Sequence, residues 1–109
     1  MTSAEYEANL PALDKYVTIA PDHPLGVLGF YALGLNEEAG EFAGKVKKAF
    51  RDGTYDPFAM ANELGDNLWY LTRAANNLGF TLEQIMQMNV DKLASRHASG
   101  KMHGSGDNR

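Results

Sequence analysis

Apolar residues recur at helical spacing along most of the chain, and no stretch alternates as a half-buried strand would. A first helix is expected over about Ala4 to Val17, irregular near Pro11. Pro21 and Pro24 then punctuate the chain. Pro24 suits the first turn of a second helix that runs to about Phe50, with Gly34 as the point where it would break. The segment Arg51 to Asp56 reads as a turn, and Asp56 followed by Pro57 is a start signal for a third helix. The apolar stripe of that helix is Ala61, Leu64, Leu68, Leu71, Ala75 and Leu78, and Gly79 stops it. Thr81 and Gln84 have the spacing of a capping box and open a fourth helix to about Ala98. The stretch from Ser99 to Arg109, rich in glycine and polar residues, reads as a tail.

An all-α domain over residues 1–98 with a flexible tail over 99–109 is therefore expected. The glycines cut against it. Gly26, Gly29, Gly34, Gly40 and Gly44 fall in the second helix and Gly65 in the third, and each costs about 1 kcal/mol relative to alanine in a helix interior. One account is that Gly40 and Gly65 let two helix backbones approach closely enough for short acidic side chains to share one ion.

Composition narrows the function. With 109 residues and 44% apolar content the chain supports one modest core. Ten basic residues against fourteen acidic ones leave a charge of −4, which argues against nucleic acid as the main partner. The absence of cysteine removes disulfides, thiolate metal sites and cysteine nucleophiles together. The first residues are acidic, unlike a signal peptide, and the longest uncharged apolar run, Leu25 to Leu35, is too short to span a bilayer. A cytoplasmic protein with no membrane partner is the expectation.

Two pairs of carboxylates, Glu38/Glu41 and Glu63/Asp66, are each three residues apart, so each pair shares a helix face. Two such charges ~4 Å apart repel by roughly 4 kcal/mol at an effective dielectric of about 20. Most acids on helices simply face water. Here, however, apolar residues surround both pairs, and neither has a cation within its own turn. Sharing a hard, oxygen-liganded cation such as Mg²⁺ or Mn²⁺ is the better reading. Di-iron bundles use Glu-x-x-His, and zinc favours His or Cys. His23, His97 and His103 stand in no such motif, which disfavours a ferritin-like oxidase.

An all-carboxylate Mg²⁺ site commonly meets its substrate through phosphates, and groups suited to phosphates are present. Asn89, Lys92 and Arg96 form one stripe on the fourth helix. Lys45 is placed to reach a phosphate or to pair with Glu41, Tyr70 to hydrogen-bond a sugar or phosphate, and Trp69 to stack a base. Each also has a plainer reading, as a surface stripe, a counter-ion or a core aromatic. The rival for the whole chain is a non-catalytic helical interaction module with a solvated acidic face.

Leu35-Asn-Glu-Glu-Ala-Gly-Glu41, followed after twenty-one residues by Glu63-Leu-Gly-Asp66-Asn-Leu-Trp-Tyr70, resembles the MazG-like branch of the all-α nucleoside triphosphate pyrophosphohydrolases. Asn89-Val-Asp-Lys92-Leu-Ala-Ser-Arg96 is similar to that family's last core helix, and the closing residues look like the tail of small, phage-type members. The resemblance spans about Leu25 to Arg96. It implies a four-helix module that forms dimers or tetramers, with sites at subunit interfaces. It also implies hydrolysis of a nucleoside triphosphate to monophosphate and pyrophosphate, with two to three Mg²⁺ or Mn²⁺ ions per site. Glu38, Glu41, Glu63 and Asp66 match its metal ligands, and Glu37 matches an acid that orients or deprotonates the attacking water. Lys92 and Arg96 match phosphate-binding positions, with Asn89, Tyr70 and Lys45 as further substrate contacts. Likeness to phage-type members suggests dGTP or GTP, and the host cytoplasm if the protein is phage-encoded. Lys101, His103 or Arg109 would let the tail close over substrate.

Overall fold

The computed structural model describes residues 1–100, 103, 104, 106 and 107, and its regular elements there are α-helices. They are α1 (Ser3–Leu13), α2 (Gly26–Asp52), α3 (Pro57–Asn77) and α4 (Leu82–Ser99). Among the described residues there is no strand, and no helix is long and apolar enough to cross a membrane.

Local chemistry sets most of the boundaries. At the start of α1, Thr2 Oγ1 accepts from the Glu5 amide at 3.1 Å, and the Glu5 carboxylate accepts from the Thr2 amide at 3.4 Å. Asp56 caps α3 by accepting from the Ala59 amide at 3.0 Å, with Pro57 as the first helical residue. Thr81 and Gln84 close the expected box on α4, at 3.1 and 2.9 Å. Gly53 ends α2 at φ 71°, its amide donating to the Ala49 carbonyl.

Two boundaries differ from expectation. α1 stops at Leu13 rather than near Val17, because Pro11 offers no N–H to the preceding turn and Asp14 swings to an extended conformation. α2 begins at Gly26, just beyond Pro24, and runs unbroken for 27 residues through Gly34.

Gly34 has a packing role in place of the expected break. α2 and α3 form an antiparallel hairpin in which Tyr31 meets Arg73, Gly34 meets Tyr70, Glu38 meets Asp66 and Lys45 meets Glu63. A Cβ on Gly34 would overlap the ring of Tyr70, so the missing side chain is what lets that ring lie on the α2 backbone. Gly40 and Gly65 have nothing within 4 Å of where a Cβ would stand. The close approach therefore happens at Gly34, one turn before the acids, and not at Gly40 or Gly65.

The core is small. Among the described residues the buried apolar ones are Leu10, Tyr31, Ala75 and Leu82. Polar ties supplement them, and Glu7 provides two. Its carboxylate accepts from Asn76 Nδ2 at 2.7 Å and from the Leu82 amide at 2.8 Å, joining α1 to the end of α3 and the start of α4. Of the apolar stripe expected on α3 only Ala75 is buried, while Leu64 is 51% and Leu78 59% exposed. α3 instead turns its polar and aromatic side, including Glu63, Tyr70 and Arg73, toward α2 or the loop beside it. The radius of gyration is 16.7 Å, against about 13 Å for a compact domain of this length. One chain by itself leaves much of its apolar surface uncovered.

Candidate functional site

The hairpin register carries Glu38 on α2 across to Glu63 and Asp66 on α3. The three residues offer carboxylate oxygens that all lie within 4.8 Å of one another. Glu63 is largely enclosed, with 15% of its side chain exposed, and Asp66 faces solvent. Burial pushes the Glu38 carboxyl above its ordinary range, and the charges of Asp66, Glu63, Glu37 and Glu41 push it further the same way. Negative charge is concentrated here beyond what the nearby side chains neutralise. An oxygen-only set of this size is the donor chemistry a hard divalent cation takes, so the residues fit Mg²⁺ or Mn²⁺.

The remaining acids stand close by. Glu41 and Glu37 are exposed, and both act on Glu38 through their charge without belonging to the group of three. Lys45 does not pair with Glu41. Its Nζ reaches across the hairpin to Glu63 Oε1 at 3.6 Å, because the antiparallel register places Glu63 opposite it.

Beside the acids lies an open cavity of about 320 Å³ lined by Leu13, Tyr16, Glu38, Asp66, Trp69 and Tyr70. Trp69 and Tyr70 were expected there, and they stand edge to face with ring centres 5.0 Å apart. Burial raises the pKa of the Tyr70 hydroxyl, with smaller contributions from Tyr16, Glu38, Glu37 and Asp66. Leu13 and Tyr16 come from the end of α1 and the loop after it and had no motif to mark them. Tyr6 on α1 was also missed. Its hydroxyl is shifted upward by burial and then by the charge of Asp66.

Tyr16 is held in place by a second carboxylate. Asp14, its side chain fully buried, accepts from the Tyr16 amide at 2.8 Å, from the Tyr31 hydroxyl, and from Arg73 Nε at 2.7 Å. Burial alone would raise its pKa. The hydrogen bonds from Tyr31, Tyr16 and Arg73 outweigh that and hold the carboxyl below the usual aspartate range.

The α4 residues are elsewhere. Asn89, Lys92 and Arg96 do not line the acidic cavity, since α4 packs on α1 and α3 and makes no comparable contact with α2. Arg96 is buried, with its Nη2 donating to Asp107 Oδ1 at 3.0 Å and to the Gly106 carbonyl at 3.2 Å. Its Nε has no hydrogen-bond partner among the described residues. Lys92 Nζ also reaches Asp107 Oδ1, at 3.4 Å. These two cations thus already hold one carboxylate, and the hydrogen bonds from Arg96 and then Lys92, with the charges of both, lower its pKa. Of the expected tail contacts, His103 is exposed, while Lys101 and Arg109 lie outside the described residues.

Against known proteins, residues 30–100 match the family model described as the MazG nucleotide pyrophosphohydrolase domain. The chain is also similar to the Gene 37 protein of Mycobacterium phage L5, 42% identical over 87 residues that cover 75% of this chain and 76% of that one. No solved structure matches.

Proposed function

Because the chain belongs to the MazG nucleotide pyrophosphohydrolase family, we propose that it hydrolyses a nucleoside triphosphate to the monophosphate and pyrophosphate. The observation that carries this reading is the convergence of Glu38, Glu63 and Asp66 beside an aromatic-walled cavity of about 320 Å³, at the small end of the ligand-cleft range of about 300–1,000 Å³. An acidic, partly aromatic pocket suits a metal-chelated polyphosphate joined to a flat ring. Residues 1–98 form the catalytic domain in this reading.

Glu38, Glu63 and Asp66 hold Mg²⁺ or Mn²⁺, with Glu41 completing the set for two to three ions. A divalent ion there supplies charge neutralisation for the polyphosphate and a lowered pKa for coordinated water. Glu37, exposed beside Glu38, orients the attacking water or accepts its proton. Tyr70 donates to the sugar or a phosphate from the cavity wall, and Lys45 leaves Glu63 for a phosphate as ions enter.

Lys92 and Arg96 bind phosphate, and their grip on the Asp107 carboxylate supports a pair suited to anions. They reach the acids across a subunit interface in a dimer or tetramer, along with Asn89. The exposed leucines of α3 support such an assembly, which sedimentation of the full chain tests. A solvated acidic face on a passive interaction module accounts neither for three acids facing one another nor for the cavity beside them.

The direct test incubates the protein with each ribo- and deoxyribonucleoside triphosphate and Mg²⁺ and separates the products. Monophosphate with pyrophosphate is expected, and a guanine nucleotide is the expected preference. Diphosphate with orthophosphate would refute the cleavage position.

A further inference from the structure

We propose that Tyr16 is a specificity-determining residue of the acidic cavity, forming with Trp69 the corner against which the substrate's nucleobase stacks, and that Asp14 is the positioning residue that keeps it there. The inference rests on the nucleotide reading of the site. It adds a segment that lies before residues 30–100, the part of the chain matched by the family model.

The cavity has two chemically different sides. Glu38 and Asp66 form an acidic side suited to the cations that a polyphosphate brings. Leu13, Tyr16 and Trp69 offer apolar and aromatic surface, which has no use for phosphate but favours a planar heteroaromatic ring. The Tyr16 and Trp69 rings stand nearly perpendicular, at 86° with centres 6.1 Å apart, so they wall a corner rather than a slot. Phe30 supports Tyr16 from α2, with ring centres 4.5 Å apart.

Tyr16 lies outside regular structure, so something must fix it. Were α1 to continue to Val17, Tyr16 would follow the helix and leave this corner. Instead the chain turns at Asp14, whose carboxylate joins three parts of the molecule. One oxygen accepts the Tyr16 amide, and the other accepts the Tyr31 hydroxyl from α2 and Arg73 Nε from α3. Because the same two helices carry Glu38 and Asp66, the latch sets the aromatic wall at a fixed place relative to the acids.

The test separates base recognition from phosphate and metal recognition. Full-length protein is titrated calorimetrically, with Mn²⁺ present, against α,β-imido analogues of the four deoxynucleoside triphosphates and against inorganic tripolyphosphate. Tyr16→Leu is expected to lose about tenfold in affinity for the analogue that the wild type prefers, whereas Tyr16→Phe stays within about twofold. Both variants bind tripolyphosphate as the wild type does. Asp14→Asn follows Tyr16→Leu on nucleotide and the wild type on tripolyphosphate, and if it does not fold the Tyr16 pair decides. Unchanged nucleotide affinity in Tyr16→Leu, or an equal loss on tripolyphosphate, overturns the proposal. So does a wild type that binds tripolyphosphate as tightly as any nucleotide. A wild type that binds neither removes the nucleotide reading itself, and this inference with it.

Discussion

Asp14, tied to α2 through Tyr31, and the Glu38–Glu63–Asp66 group, reached about two turns further along that helix, put the same functional group to opposite uses. Asp14 is fully buried and has three donors, one from each part of the chain that meets there. The three acids face one another, and among the described residues Lys45 reaches one of them, Glu63, at 3.6 Å. A carboxylate supplied with donors by its own chain adds rigidity. Carboxylates left short of donors cost stability in the free protein and hold that cost ready for an incoming cation. In the proposed reading, stability and function thus fall to two neighbouring places on the α2–α3 hairpin, one tied to Asp14 and one at the acids.

Asp14→Asn has the largest expected effect. It leaves Arg73, only 13% exposed in its side chain, without its charge partner. Removing one member of a buried pair costs about 3 kcal/mol, which lowers Tm by roughly 10–20 °C for a domain of this size. Calorimetric melting of the two proteins measures it. If Asp14→Asn melts with the wild type, the latch is not holding the fold together.

Gly34→Ala comes next, since Gly34 sits on α2 between Tyr31 at one site and Glu38 at the other. The added Cβ overlaps the Tyr70 ring, and overpacking of this kind costs about 2 kcal/mol. The expected result is a lower Tm together with weaker Mn²⁺ binding, because the displaced ring spreads the hairpin beside the acids. Loss of stability with unchanged Mn²⁺ affinity would show that the two sites do not share this spacer.

Glu38→Gln should act in the opposite direction from Asp14→Asn. Removing one of several crowded like charges stabilises the ion-free protein by up to about 1 kcal/mol and abolishes both the Mn²⁺-induced rise in Tm and turnover. The pH dependence gives each site its own sign. Asp14 has a folded pKa below its unfolded one, so its contribution is complete at neutral pH and is lost as pH falls below about 4. Glu38 has a folded pKa above its unfolded one, so its cost is complete at neutral pH and is relieved as pH falls toward about 4. The stability gap between wild type and Asp14→Asn should therefore close in acid below that range. The gap favouring Glu38→Gln should already have narrowed on the way down.

How much the sequence disclosed depends on how far apart the interacting residues lie. The starts of α3 and α4 depend on contacts three residues apart, Asp56 with Ala59 and Thr81 with Gln84, and both were readable. Helical spacing likewise puts each acidic pair on one face, but only Glu38, Glu63 and Asp66 form the group of three and Glu41 stays outside it. Asp14 was not, because two of its donors are 17 and 59 residues away. Gly34 looked like a weak point in α2, since Tyr70, the residue that needs the space, is on another helix. The α3 leucines looked like core because periodicity reports that a face is apolar without saying what covers it.

Lys45→Met has the smallest expected effect and asks how much of the acid cluster's charge the chain offsets itself. Its Nζ stands 3.6 Å from Glu63 with 42% of the side chain exposed, and an exposed pair of this kind contributes about 0.2–1 kcal/mol. Tm should therefore fall by no more than a few degrees. Mn²⁺, which no longer competes with an ammonium for Glu63, should bind the ion-free protein up to a few-fold more tightly. The nucleotide separates the two roles of Lys45: a counter-ion alone leaves nucleotide affinity unchanged or improved, whereas a phosphate ligand weakens it even as Mn²⁺ affinity rises. Opposite changes for metal and nucleotide would mean that Lys45 exchanges partners, offsetting the acids while the site is free and passing to substrate when ions arrive. The acid cluster would then borrow its donor only until a cation replaces it, whereas Asp14 keeps its three donors throughout.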